Sequence, residues 1–373
     1  MWIRKKTCRV YTVIAGIWIC TSALAQYDDG ARYAFLASPQ NKTVHVIDLQ
    51  DRTLADSIDF ERVPDSVSAS ESLKALVVAH AAADRLTLVD LSSDVLTQYD
   101  YPLTMTPDRV DVSPLGETVA IYDSHAGKLE IHAVRRRQLL LEADDVNTTE
   151  AFTFNLDGST IYWVDRSTGT INSIDLWSKR RTLTLAPPDS NLSALSRSID
   201  GAHGFISDAD ANVVYVVSLA TFEQIQAVRT GLNPGRPWGT ADGRYMLIPN
   251  RGDGTVTALS TLTLQPIYTV SAVDKPISIN PGWLDTTAAV IGEAGDVVFL
   301  SVDDGRLTDS FELDSRPNEG VVTSDSRTLM VPVPDAGSVS FFDMRKRMFV
   351  SETDGLGRDI GEATLAISNN LCH

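Results

Sequence analysis

Eight apolar runs recur along this chain at nearly constant spacing, and no other feature constrains its fold so tightly. They begin near Tyr33, Ala75, Thr118, Thr160, Gly204, Tyr245, Thr287 and Thr328, at intervals of 42, 43, 42, 44, 41, 42 and 41 residues. Each is followed by an alternating segment, among them VHVIDL at Val44, LTLVDL at Leu86, VYVVSL at Val214 and VSFFDM at Val339. Turn sequences such as LGE at Leu115, LDG at Leu156, IDG at Ile199 and ADG at Ala241 precede many of the runs. Side chains two apart share one face of a strand, so such alternation reads as short β-strands, and helical periodicity is almost absent. The clearest copy, residues 235–267, holds four strand-like runs separated by DGR and NRGDG turns. A period of about 42 residues with four strands per repeat is that of a β-propeller blade. The expectation is therefore an all-β chain, a propeller of eight four-stranded blades, or of seven if one repeat is a long insertion.

Too little chain precedes Tyr33 to supply the innermost strand of its own blade. At the other end, residues 360–368 match the first-strand pattern and no second strand follows them. The C-terminal strand is expected to join the N-terminal blade and close the ring, which removes the free edges of an open array. Prolines Pro64, Pro107, Pro237, Pro276 and Pro317 mark the start of first strands, where a missing N–H is tolerated.

Residues 1–25 carry basic Arg4, Lys5, Lys6 and Arg9, then an apolar run, then Ala23-Leu24-Ala25, the three parts of a secretory signal. The run is shorter than the ~20 residues of a membrane span, so cleavage after Ala25, no stable membrane insertion afterwards, and a periplasmic or secreted location are expected. Residues 26–373 would form one propeller domain. Removing those four basic residues and no acidic one takes the formal charge from −17 to −21. So acidic a chain repels nucleic acid and favours cationic partners. With Cys8 and Cys20 in the signal, Cys372 is alone in the mature chain, which excludes an internal disulfide and covalent haem held by a CxxCH motif.

The run PWG followed by DGRYMLIPNRGDGTVTAL, from Pro237, and the TVHVIDL and LTLVDL strands resemble the bacterial YVTN-type β-propellers. That broad group also includes the heavy subunit of quinone-cofactor amine dehydrogenases and the propeller of cytochrome cd1. The resemblance spans residues 26–373 and implies a fold and an extracytoplasmic setting. It carries no activity, because this architecture hosts many.

In a propeller the turns from second to third strand share one face with the loops leading to the next blade. The ends of the second strands, aligned by register, are Ser38, His80, Asp123, Asp165, Asp208, Asn250, Glu293 and Val333. Set round one mouth, their acceptors would form an electronegative rim for a divalent cation or a cationic partner. Asp and Asn at such positions also cap turns through the backbone, which is the plainer reading. Arg236, Lys275 and Arg316, each before a strand-opening proline, are the candidates for holding a carboxylate, and Trp238 for stacking in the axial channel. His80 and Asp123 are weak metal candidates, as are Cys372 and His373 at the chain's end. Serine-nucleophile elbows and phosphate-binding glycine loops are absent.

The favoured expectation is a non-catalytic module that binds a protein partner or small ligand beside a redox enzyme or transport component. The alternatives are a chaperone for a zinc-like metal, an amine-dehydrogenase-type heavy subunit, and a lactonase-like hydrolase.

Overall fold

The computed structural model describes residues 31–366, apart from residues 71, 81, 82, 94, 95 and 178. The signal segment and the Cys372–His373 pair lie outside the described residues. The described chain forms eight four-stranded antiparallel sheets in a ring, a β-propeller, and the count is eight rather than seven. Second strands begin at Tyr33, Ala75, Val119, Thr160, His203, Tyr245, Thr287 and Thr328, within one residue of the repeat positions. Seven sheets are built from consecutive strands. In the remaining one, blade 1, the strands Tyr33–Ser38, Thr43–Asp48 and Thr53–Asp59 are joined by Ala363–Leu365, which pairs antiparallel with the first of them.

Period-two side-chain placement explains why the blades stand face to face. Tyr33 and Phe35 point toward blade 2 and pack with Leu76, Val78 and Val89. Their neighbours Ala34 and Leu36 point the other way, into a cluster with Met330, Val339 and Phe341 of blade 8. The same division recurs at every interface, giving eight separate apolar clusters for eight sheets. The middle strands of blade 1 are buried along their whole length, while outer strands such as Leu307–Glu312 alternate with solvent.

Each innermost strand leaves one row of backbone groups unpaired by its own sheet, and these need partners where water is scarce. Hydroxyls on neighbouring inner strands supply several of them. Ser66 and Ser68 accept from the N–H groups of Val110 and Val112 (3.3 and 3.2 Å), Thr153 donates to the Leu195 carbonyl (2.8 Å) and Ser196 to that of Pro237 (2.5 Å). The turns into second strands use glycine because the chain there is left-handed. Gly116, Gly158, Gly201 and Gly243 sit at φ +69°, +71°, +70° and +71°, a region where a Cβ is strained. Among the described residues no helix is long and apolar enough to cross a membrane.

Phe205 is fully buried between blades 5 and 6, whereas Ile225 lies exposed on the outer strand of blade 5. Phe205→Ala should lower the free energy of unfolding by about 3–5 kcal/mol, and Ile225→Ala by less than about 0.5 kcal/mol, in denaturant titrations.

Candidate functional site

The residues at the ends of the second strands turn back into their own loops. Asp123 Oδ1 accepts from the N–H groups of His125 and Ala126 (3.0 and 2.9 Å), and its Oδ2 accepts from the N–H and hydroxyl of Thr106 (3.2 and 3.1 Å). Burial pushes this carboxyl up, but the hydrogen bonds outweigh it and leave the pKa lowered. Asp208 Oδ1 caps the N–H groups of Asp210 and Ala211 (both 3.0 Å), while Oδ2 takes the Tyr215 hydroxyl (3.2 Å). Asp165 accepts from Ser167 Oγ (2.6 Å) and Asn147 Nδ2 (3.3 Å). Asn250 is fully buried and donates to Thr255 and Thr257 (both 2.9 Å).

His80 is buried with both ring nitrogens engaged, Nδ1 with the Val63 carbonyl and Nε2 with the Thr87 hydroxyl (both 2.9 Å), and burial lowers its pKa. Its lone pair is thus committed within blade 2. Glu293 is held between Arg251 and Arg316 (3.3 and 3.2 Å), and Lys275 is exposed with its carbonyl bonded to the Glu293 N–H. Ser38 and Val333 are buried. Among the described residues no three His, Cys, Asp or Glu side chains are placed to hold a metal ion together.

A different set of side chains meets on the axis. Asp111 lies in the inner strand Arg109–Val112 of blade 3, and Arg236, Glu319 and Glu362 stand just before the inner strands of blades 6, 8 and 1. These blades occupy different sides of the ring. Arg236 and Glu362 nevertheless act electrostatically on both Asp111 and Glu319, which places the four charges round the central channel. Glu150, on the approach to blade 4, adds a fifth; it is tied to Arg166 (2.7 Å) and to the Ala194 N–H (3.2 Å). Arg236 is steered into place by its own strand, with its guanidinium 5.4 Å from the ring centre of the buried Trp238 and Nε 3.4 Å from Ser196 Oγ.

Asp111 keeps a little contact with solvent yet is walled in by protein, and its Oδ2 has no hydrogen-bond partner among the described residues. Burial pushes its pKa up to about 6, against the pull of Arg109 and Arg236. Glu319 is pushed up to about 7 by burial, with Arg236 opposing and Glu362 and Glu150 assisting. The channel thus holds two carboxylates that ionise reluctantly and gain from a positive partner. Of the residues singled out from sequence, Arg236 stands here, whereas Trp238, expected to stack in the axial channel, packs between blades 6 and 7 with Leu247, Ile279 and Val290. Asp111, Glu319 and Glu362 were missed, although Arg236 and Glu319 share one position, two residues before an inner strand.

No family model and no curated protein sequence matches the chain. Solved structures do. The dihydro-heme d1 dehydrogenase NirN in complex with DHE superposes with a TM-score of 0.73 at 14% identity, over 92% of this chain and 77% of that one. Apo AztD from Citrobacter koseri gives 0.63 at 13% identity over 89% and 96%. A virginiamycin B lyase from Staphylococcus aureus gives 0.55 at 13% over 72% and 91%. At such identities the likeness is one of fold, and it places the chain in the broad β-propeller group.

A carboxyl whose pKa is raised on folding favours the folded state while protonated and loses that advantage as pH climbs through the folded value. Asp111→Asn with Glu319→Gln should therefore match the parent in stability near pH 4 and exceed it by about 1–2 kcal/mol per site at pH 8, channel water screening the rest. Melting curves of both proteins across that range check it.

Proposed function

We propose that this chain is a secreted, periplasmic propeller of the YVTN type that works as a non-catalytic accessory module, holding a cationic group of a ligand or partner in its axial channel beside a redox enzyme or transport component. What carries this reading is that Asp111, with an oxygen lacking a hydrogen-bond partner among the described residues, and Glu319 are both buried acids within reach of the same two charges, Arg236 and Glu362. A bound ammonium or guanidinium would compensate the desolvation that these acids bear. The net negative charge, −21 once the four basic residues of the signal are removed from −17, draws cations toward the mouth from a distance. Structural neighbours include a dehydrogenase and a lyase, so the reading leans on the site rather than on the fold.

Calorimetric titration with 1,4-diaminobutane at pH 6.5 is expected to show binding coupled to proton release, because the cation favours the ionised carboxyls. The Asp111→Asn, Glu319→Gln pair should weaken it at least about tenfold. Zinc added in the diamine's place should bind below one equivalent. A stoichiometric zinc complex that is lost in the same double variant would turn the reading into one of metal carriage, and indifference to both cations would reject the channel as a cation site.

A further inference from the structure

Between blades 2 and 3, away from the axis, a crevice of about 280 Å³ opens beside Tyr101, Leu103, Thr104, Glu130, His132 and Arg137. Tyr101 lies next to the last residue of the outer strand Thr97–Pro102 of blade 2, while Glu130 and His132 lie two apart on the strand Lys128–Ala133 of blade 3 and so share one face. Three buried side chains form a continuous relay there. The Tyr101 hydroxyl is 2.9 Å from His132 Nδ1, and His132 Nε2 is 2.7 Å from Glu130 Oε2. Lys128 Nζ (2.9 Å) and Thr104 Oγ1 (3.2 Å) satisfy the other oxygen of Glu130.

The direction of the relay follows from charge. The hydrogen bond from His132 is the largest of the effects that bring Glu130 down to about 2, so the carboxylate is ionised and His132 Nε2 is the donor. On its other side His132 Nδ1 meets the Tyr101 hydroxyl. Every polar atom of this wall is thereby matched inside the protein, and the Glu130 charge is balanced by Lys128. What remains facing the crevice is apolar surface from Tyr101, Leu103 and Leu139, with one exposed cation at the lip. Arg137 follows the turn at Val134–Arg136, and its guanidinium makes no hydrogen bond or ion pair among the described residues, whereas Arg135 beside it donates to the Ser72 carbonyl at 2.8 Å.

A cavity with an apolar lining and a single unmatched positive charge selects for an apolar molecule with one negative end. We infer that the crevice between blades 2 and 3 is a binding site for a small carboxylic acid with an apolar body, the carboxylate pairing with Arg137 and the body covering the Tyr101–His132–Glu130 wall. It is separate from the channel in position and opposite to it in charge preference.

Benzoate and its neutral isostere benzamide are the probes, followed by ligand-observed NMR titration of the full chain. Benzoate is expected to bind about tenfold more tightly than benzamide, the value of one charge-assisted contact. Arg137→Gln should bring benzoate down to the level of benzamide, while Arg136→Gln and the channel variant Asp111→Asn leave the difference in place. Leu139→Asp should weaken both probes by putting charge on the apolar wall. Equal binding of the two probes, no binding of either, or an equal loss in Arg136→Gln and Arg137→Gln would overturn the inference.

Discussion

Every sheet in this molecule is apolar on both faces, and the rest of the structure depends on covering all sixteen of those faces. One sheet covers one face of its neighbour, so a row of eight would leave two apolar faces in water, at blades 1 and 8. Bending the row into a ring removes both. The last interface, where Ala34, Leu36 and Ile47 of blade 1 meet Met330, Val339 and Phe341 of blade 8, also takes in Leu356 and Ile360 from the tail. Burial of apolar side chains, at ~25 cal/mol per Å², thus draws the two ends of the chain together. The backbone pairing of Ala363–Leu365 with the strand Tyr33–Ser38 then fixes the register in which they meet.

Closure also makes the site. Asp111, Arg236, Glu319 and Glu362 are far apart along the chain, and only the ring brings Asp111 and Glu319 within electrostatic reach of Arg236 and Glu362. Burial there raises the pKa of Asp111 and Glu319 above the usual carboxylate range. The crevice between blades 2 and 3 arises differently, where an outer strand of one blade brings Tyr101 to the third strand of the next. The architecture thereby offers two candidate sites, one at its axis and one between two blades, for which opposite charge preferences are proposed.

The architecture was legible because the same physics is repeated eight times. Alternating strands, left-handed glycine turns at Gly116, Gly158, Gly201 and Gly243, and the unmatched strand at the tail each recur or stand out in the chain itself. The site was much less so. Acceptors such as Asp123 and Asp208 were correctly located on second-strand ends, but a carboxylate there finds its own backbone N–H groups before it finds a neighbour across the mouth. The channel acids sit on the approaches to inner strands, some only two residues long, such as Val321–Val322, where periodicity gives little signal. Glu130 and His132 were visible as a same-face pair in LEIHAV; their partner Tyr101 lies about thirty residues earlier, and only the packing of two blades unites them.

The central claim is that the chain is a ring held shut by its own tail, and hydrogen exchange on a chain ending at Asp359 tests it most directly. Without residues 360–373, blade 1 loses its innermost strand and the blade 8–blade 1 cluster loses Ile360. Amides of the strand Tyr33–Ser38 should lose most of their protection, those of blades 4 and 5 should keep theirs longest, and the melting temperature should fall by roughly 5–10 °C. Unchanged protection in Tyr33–Ser38 together with unchanged melting would contradict a ring closed by its tail.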